Sequence, residues 1–311
     1  MEELSGTTGH VALDLPAVEE WIRDSVEPAG EIEIEQEEPW ATVLRVPLAD
    51  DVAWFKACAP VQAFEAHLTA DLFSRWPDRV PEVIACDEGR AWLLLADAGT
   101  SVDAFGNPPE AWMEILPRYA ELQRGEVSHV EEHLAHGVPD LRLARLPAGY
   151  DELLELDLPL ERPEIDRLRE FQPRFAQLCV ELAAAGVPES IQHDDLHCWN
   201  LYRNDDHLRV LDWGDSSVSH PFASLVVTFR FLEEITKLEP GDPWFARLRD
   251  AYLEPWGPDL RDVFRLAYRV GSFARAIAYI PVRSAVPKEE LAEFDTDLTV
   301  VLRRAIAQMP G

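Results

Sequence analysis

The stretch Ile191–Asp215, IQHDDLHCWNLYRNDDHLRVLDWGD, constrains this chain more than any other. Two short β-prone runs, Leu201–Arg203 and Leu208–Leu211, flank the polar cluster Asn204-Asp205-Asp206-His207, a composition that predicts a tight antiparallel hairpin. Such a hairpin places Asn200, entering one strand, beside Asp212, leaving the other, with Cα atoms roughly 5 Å apart. Two oxygen ligands then face one cation. A further acid, Asp195, hangs on the loop leading to the same end. A second reading of the stretch, a zinc site drawn from His193, Asp195, His197, Cys198 and His207, lacks the paired Cys or H-x-x-x-H spacing of a tetrahedral structural site. The plainest reading is a surface turn rich in Asp and Asn.

The order His193-x-Asp195-Leu196-x-x-x-Asn200 followed by Asp212-Trp213-Gly214 resembles the catalytic loop and metal-binding signature of kinases, H-R-D-L-x-x-x-N and D-F-G. Phosphoryl transfer asks little covalent help of a protein. It needs Mg²⁺ held against nucleotide phosphates and a carboxylate that orients the attacking hydroxyl and accepts its proton. Magnesium takes oxygen ligands and keeps several waters, so one carboxylate and one amide suffice. On this reading Asp212 and Asn200 are the metal ligands and Asp195 is the base.

At 311 residues the chain can hold two lobes, each with its own core. The start, MEELSGTTGH, carries acids where a secretory signal needs bases, and the most apolar stretch, around Phe222–Phe229, is far short of a membrane span. Cys58, Cys86, Cys179 and Cys198 are scattered without C-x-x-C pairing, as reduced thiols are. A cytosolic protein is expected. The charge balance is extreme, 28 Lys and Arg against 58 Asp and Glu, a net charge of −30. Such a surface repels nucleic acid and anionic membranes and attracts cations.

Asp14-Leu15-Pro16 opens a helix through about Val26. Extended segments are expected at Glu31–Glu35 and Ala41–Val46, separated by a turn at Gln36–Pro39, and a third strand at Val52–Ala57 carries Lys56. An amphipathic helix over Gln62–Arg75 turns Phe64, Leu68, Leu72 and Phe73 inward and carries Glu65 in its first turn. A strand lysine paired with the glutamate of the next helix is the V-A-I-K and αC arrangement of kinases, in which the lysine touches the α/β-phosphates. Strands at Glu82–Cys86 and Ala91–Leu95 follow. Ala96-Asp97-Ala98-Gly99-Thr100 then breaks the pattern and reads as a hinge whose backbone, Ala96 included, could meet a purine edge. Beyond it the periodicity is almost wholly helical, over about Pro109–Arg124, Val130–His136, Pro147–Glu155, Pro163–Ala185, His220–Lys237, Pro243–Tyr252, Asp259–Tyr279 and Lys288–Gln308.

These residues together make the whole chain resemble the aminoglycoside phosphotransferase family, small-molecule kinases with a protein-kinase-like fold. The resemblance implies an α+β, two-lobed fold. An antiparallel-sheet nucleotide lobe would cover residues 1–97, and a mostly helical catalytic and substrate lobe residues 98–311. It implies Asp195 as base, Asn200 and Asp212 as Mg²⁺ ligands, Lys56 as phosphate contact oriented by Glu65, and ATP or GTP as donor. The acceptor would be a small hydroxylated molecule, neutral or cationic, with an aminoglycoside or other antibiotic as first expectation. A sugar, amino alcohol or nucleoside-like metabolite is the alternative, and a non-catalytic pseudokinase-like module the third. There are departures. Asp194 stands where the family has Gly, no G-x-G-x-x-G loop is present, and only Gln36–Pro39 could cover the phosphates. No A-P-E segment follows Asp212, which favours a small-molecule acceptor over a protein.

Overall fold

The computed structural model describes residues 13–204 and 207–309. The acidic start MEELSGTTGH and the turn residues Asp205 and Asp206 therefore lie outside the described residues. Helix α1 (Leu15–Arg23) precedes β1 (Glu33–Glu38), β2 (Ala41–Pro47) and β3 (Val52–Cys58), then α2 (Phe64–Arg75), β4 (Val83–Asp87) and β5 (Trp92–Ala96). The five strands form one antiparallel sheet in the order β1-β2-β3-β5-β4. Alternation along β3 is what aims the lysine. Ala53, Phe55 and Ala57 are buried with Val18 and Ile22 of α1 in one core, so Trp54 and Lys56 face the other side of the sheet. Trp21, Phe55 and Trp92 pack edge to face within that core, with centroids 5.5 to 5.7 Å apart.

The structure moves one expected feature. Strand β1 runs on through Glu38, and the turn is a two-residue tip at Pro39-Trp40 closed by the pair Glu38↔Ala41, not Gln36–Pro39. An edge strand with both faces largely in water needs no apolar alternation, so Gln36-Glu37-Glu38 extends although it reads as a turn. A register shift between Ile34 and Gln36 marks a bulge in the same edge.

Past β5 the chain makes β6 (Thr100–Ser101), α3 (Pro109–Glu126), α4 (Val130–Ala135), α5 (Leu146–Glu155) and α6 (Arg162–Ala183). Then come β7 (Ser190–Gln192), β8 (Leu201–Asn204), β9 (His207–Val210) and β10 (Ser217–Ser219), and last α7 (Leu225–Glu234), α8 (Pro243–Leu253), α9 (Arg261–Ala285) and α10 (Leu291–Ala307). The expected hairpin is β8–β9, with Leu201 opposite Val210, and β6 adds a third strand beside β8. Strand β7 pairs with β10. The single helix expected over His220–Lys237 is a 3-10 turn, Pro221–Ser224, followed by α7. Helix α9 continues past Pro281, which costs one ladder bond near its end and does not stop it. No helix among the described residues is long and apolar enough to cross a membrane.

The segment after β5 is fastened at several points. Ala96 donates its N–H to the Glu82 carbonyl at 3.0 Å. Asp97 accepts from the Trp54 indole at 3.1 Å and from Gly99 N–H at 3.0 Å. Gly99 has φ of 94°, and a Cβ there would lie 2.2 Å from the Arg203 carbonyl oxygen, so no side chain fits between the hinge and β8.

One buried carboxylate joins three helices. Glu126, at the end of α3, is fully buried and accepts both arms of Arg75 at 2.9 Å, the Trp76 indole at 2.7 Å and His133 Nε2 at 2.9 Å. Burial alone would favour its protonated form, but the bonds from His133, Arg75 and Trp76 outweigh that and bring its pKa down to about 2. A carboxylate whose native pKa lies below its unfolded value stabilises the fold above the unfolded pKa. That stability drains away as pH falls through the native pKa. Glu126→Gln should therefore cost roughly 3 kcal/mol at pH 7, and the gap to wild type should narrow as pH drops from about 4.5 toward 2. Urea unfolding of both proteins across that range measures it; an undiminished gap at pH 3 would contradict the account.

Candidate active site

Lys56 gathers three segments. Its ammonium lies 2.8 and 2.7 Å from the two oxygens of Glu65 and 2.7 Å from Asp212 Oδ1. Burial works against the charged lysine, but Asp212 and Glu65 outweigh it and hold its pKa well above the ordinary value. For buried Glu65, desolvation pushes the carboxyl up and Lys56 only partly offsets this. For Asp212, half-exposed at the cleft, Lys56 prevails over desolvation and the pKa is lowered. The strand lysine and helix glutamate expected to pair are thus in contact, and the Asp of D-W-G joins them. Gly214 makes room for this. A Cβ there would lie 2.8 Å from Gln62 Oε1 and from Glu65 Oε2.

Asp212 itself has φ of 61°, a left-handed conformation that Asp tolerates better than most residues. Leu211 N–H donates to the Asn200 carbonyl at 2.8 Å. The hairpin thus opposes Asn200 with Leu211, and Asp212 lies one residue beyond, not directly across as spacing suggested.

The preceding loop is tied down through His193. Tyr119 OH accepts its backbone N–H at 2.9 Å, His193 Nε2 bonds the Leu211 carbonyl at 2.8 Å, and Nδ1 accepts Asp195 N–H at 3.3 Å. Burial brings the His193 pKa down to about 4, so the ring is neutral and these contacts place the proton on Nε2. The departure at Asp194 has a local cause. The residue sits at φ of 60°, where glycine is the default, and Asp is among the few side chains that follow it there. Its buried carboxyl is bonded by Gln192 and by the Ser217 hydroxyl, and burial lifts its pKa to about 6. The carboxyl added beside Asp195 is therefore turned inward to β7 and β10.

Asp195 is surrounded by donors. Arg275 Nη2 lies 3.0 Å from its Oδ1, while His197 Nε2 at 2.9 Å and the Asn200 amide nitrogen at 3.3 Å meet its Oδ2. Burial would raise its pKa, but His197 and Arg275 overcome this and hold it below the ordinary carboxylate range. The same Arg275 nitrogen lies 3.0 Å from Asp215 Oδ2, and Gln62 donates to Asp215 Oδ1 at 2.9 Å. Asp215 has its pKa raised by burial, with Asp195 and Asp212 beside it. Neither Arg275 nor Gln62 belongs to the sequence motif. Both lie far along the chain from the acids they meet.

These groups open onto a cleft of about 380 Å³. Asp195, Asp212 and Asp215 line one side, Arg230, Phe231 and Glu234 another, and Trp40, Tyr279, Phe294 and Asp297 the outer rim. Glu233, by contrast, turns away to bond Arg304. Asn200 spends its amide nitrogen on Asp195, which leaves its oxygen; with the half-exposed Asp212 carboxylate this is a donor set of hard oxygens, suited to Mg²⁺ or Ca²⁺. The zinc alternative does not assemble: among the described residues no three His, Cys, Asp or Glu side chains are grouped to hold a metal. His193 faces Leu211, and the buried Cys198 thiol lies 3.8 Å from Asp103 with its pKa pushed up to about 12 by burial.

Residues 32–266 match the family model described as the phosphotransferase enzyme family. No curated protein matches the chain. Among solved structures, the choline kinase LicA from Streptococcus pneumoniae superposes with a TM-score of 0.63 at 11% identity, covering 95% of this chain and 99% of that one. The GDP and kanamycin complex of APH(2")-IIIa gives 0.61 at 14% identity, covering 94% and 98%. Amicoumacin kinase hAmiN, solved with AMP-PNP and Ca²⁺, gives 0.59 at 11% identity, covering 96% and 95%. At these identities the likeness is one of fold, a kinase-like fold with an antiparallel sheet and a mostly helical remainder.

The crowding at Gly214 is testable. Gly214→Ala should lower stability by about 1–3 kcal/mol through overpacking against Glu65 and Gln62. Because the new methyl meets Glu65, the double variant with Glu65→Ala should be non-additive by more than about 0.5 kcal/mol. Urea unfolding of the two single variants and the pair gives the coupling, and strict additivity would refute the contact.

Proposed function

Since this chain belongs to the phosphotransferase enzyme family and is by that membership a small-molecule phosphotransferase, we propose that it moves the γ-phosphoryl of ATP or GTP to a hydroxyl of a small acceptor. The observation that carries the reading is the joining of Lys56, Glu65 and Asp212 into one charged cluster at the same cleft that Asp195 lines. On this reading residues 1–97 form the nucleotide lobe and residues 98–311 the catalytic and acceptor lobe. Lys56, oriented by Glu65, binds the α/β-phosphates. The hinge at Ala96–Gly99 offers backbone groups to the base, and because Ala96 N–H is spent on Glu82, its neighbours supply the donor. The Pro39-Trp40 tip covers the phosphates.

Asp195 orients the acceptor hydroxyl and accepts its proton. Arg275, His197 and Asn200 fix the carboxylate and keep it ionised, while the one lone-pair site left, on Oδ1, serves the hydroxyl. A base so strongly paired is a weak one, which suits a transfer whose transition state needs positioning more than proton abstraction. The oxygens of Asp212 and Asn200 would hold Mg²⁺, which would supply neutralisation of charge on the phosphates. The intact Lys56, Asp195, Asn200 and Asp212 weigh against a pseudokinase-like module. Free cysteines and the nucleotide donor suit a cytoplasmic setting.

The acceptor is neutral or cationic. Five carboxylates, Asp195, Asp212, Asp215, Glu234 and Asp297, line the cleft against two guanidiniums, Arg230 and Arg275. Asp297 stands exposed at the rim, beside Phe294, which packs against Tyr279 at 5.3 Å and Trp40 at 6.5 Å. Aromatic faces beside a carboxylate favour an amine. An aminoglycoside or other antibiotic comes first, and an amino alcohol second; the structural neighbours include kinases named for each kind. A sugar or nucleoside-like metabolite is the remaining class.

A nucleotide-consumption screen over hydroxylated antibiotics and metabolites tests the activity. With an acceptor in hand, Asp195→Ala should cut kcat by about 10²–10⁴-fold while nucleotide affinity stays within about threefold; near-normal turnover would sink the assignment. For a cationic acceptor, kcat/KM should fall as salt rises, because exposed charges are screened over about 10 Å at roughly 0.1 M. A neutral acceptor should show no such slope. A preferred acceptor with net negative charge would contradict the reading.

A further inference from the structure

A second cavity of about 380 Å³ lies between α7, α9 and α10, behind the wall of the cleft. Arg230 and Arg275 line both spaces. On the cavity side they are joined by Arg304, and the only carboxylate lining it is Glu233, already bonded to Arg304. The acids that balance Arg230 and Arg275, namely Glu234, Asp195 and Asp215, line the cleft and not this cavity. In a chain with twice as many acids as bases, the cavity is a local reversal of sign.

Both shared guanidiniums have unused donors. Arg275 is 8% exposed, and its bonds to Asp195 and Asp215 come from the single nitrogen Nη2, so Nε and Nη1 donate to no protein acceptor among the described residues. Arg230 donates no hydrogen bond at all among them. Its Nε is closed off from solvent and lies 3.7 Å from the nearest carboxylate oxygen, on Glu234, so the donors it can offer the cavity are those of Nη1 and Nη2. Planar guanidinium edges are the donors that match carboxylate and phosphate oxygens. Val226, Val227, Val301 and the ring of Tyr268 supply an apolar wall, and Ser272 and Gln308 add uncharged polar groups.

We propose that this cavity is a binding site for a small carboxylate or phosphate anion, held by the unbonded N–H groups of Arg230 and Arg275 and separate from the nucleotide position. Arg275 holds Asp195 and Asp215 through Nη2, so an occupant bonded to its other nitrogens touches the residue that positions the base. The anion is either a free ion or the acidic end of a longer acceptor reaching past the two arginines.

The test is binding of inorganic phosphate to the full chain, read as a rise in thermal unfolding midpoint at fixed ionic strength with chloride as the counter-titrant. Wild type and Lys56→Met should both show a saturable rise, since the lysine serves the nucleotide side. Arg230→Gln should shift the half-saturating concentration at least tenfold upward. Ala307→Trp, at an exposed lining position, should do the same with both arginines intact, and Gln308→Trp serves if that variant does not fold. No saturable rise in wild type overturns the proposal, as does loss in Lys56→Met or retention in the tryptophan variant. The readout needs no turnover, so its failure leaves the phosphotransferase reading standing. In turnover, phosphate that raises the acceptor KM at constant kcat assigns the site to the acceptor's own end, and phosphate that alters kcat at constant KM assigns it to a separate ion.

Discussion

A single ammonium group ties the sheet to the segment that follows β9. Lys56 is one of only three lysines in the chain, and it bonds Glu65 on α2 and Asp212 after β9 at once. Its position follows from a chain of simple constraints. Alternation on β3 aims it away from the α1 core, antiparallel pairing with β2 and β5 fixes its height, and the missing side chain at Gly214 lets Glu65 come close enough. Removing any one of these would leave the buried Glu65 carboxylate without its cation, which costs several kcal/mol.

The same problem recurs deeper in the cleft and is solved differently. Asp194, Asp195, Asp212 and Asp215 fall within 22 positions of sequence, and four like charges cannot share a site unaided. They are accommodated in three ways. Asp194 turns inward to the neutral donors Ser217 and Gln192, Asp212 takes Lys56, and Asp195 and Asp215 share one nitrogen of Arg275. Arg275 also stacks over Tyr279 at 4.7 Å, which holds the guanidinium in register with both acids.

Much of this was legible in the sequence wherever one local rule decided the outcome. The likeness to the kinase signature singled out Asp195, Asn200 and Asp212, and the strand-lysine and helix-glutamate arrangement singled out Lys56 and Glu65, which the fold brings to one cleft. What escaped was of two kinds. Strands β6, β7 and β10 have two or three residues each, too few for a period of two to register. Arg275 and Gln62 meet their partners across 80 and 153 positions of chain, and nothing in an arginine on α9 distinguishes it from a solvated one until the helix is packed. The β1 turn lies further along than expected because Glu has low strand propensity and Pro favours turns, whereas here edge-strand pairing with β2 decides.

Strand β6 is short, yet it changes how the connection after β5 is held. By pairing with β8 it stitches the far end of that connection to the β8–β9 hairpin, while on the near end Ala96 is bonded to Glu82 and Asp97 to the Trp54 indole. Only Ala98 and Gly99 lie between the two fastenings, with Gly99 pressed against the Arg203 carbonyl. The Lys56–Asp212 ion pair joins the same two parts elsewhere, so the sheet and the hairpin are clamped at two separate points.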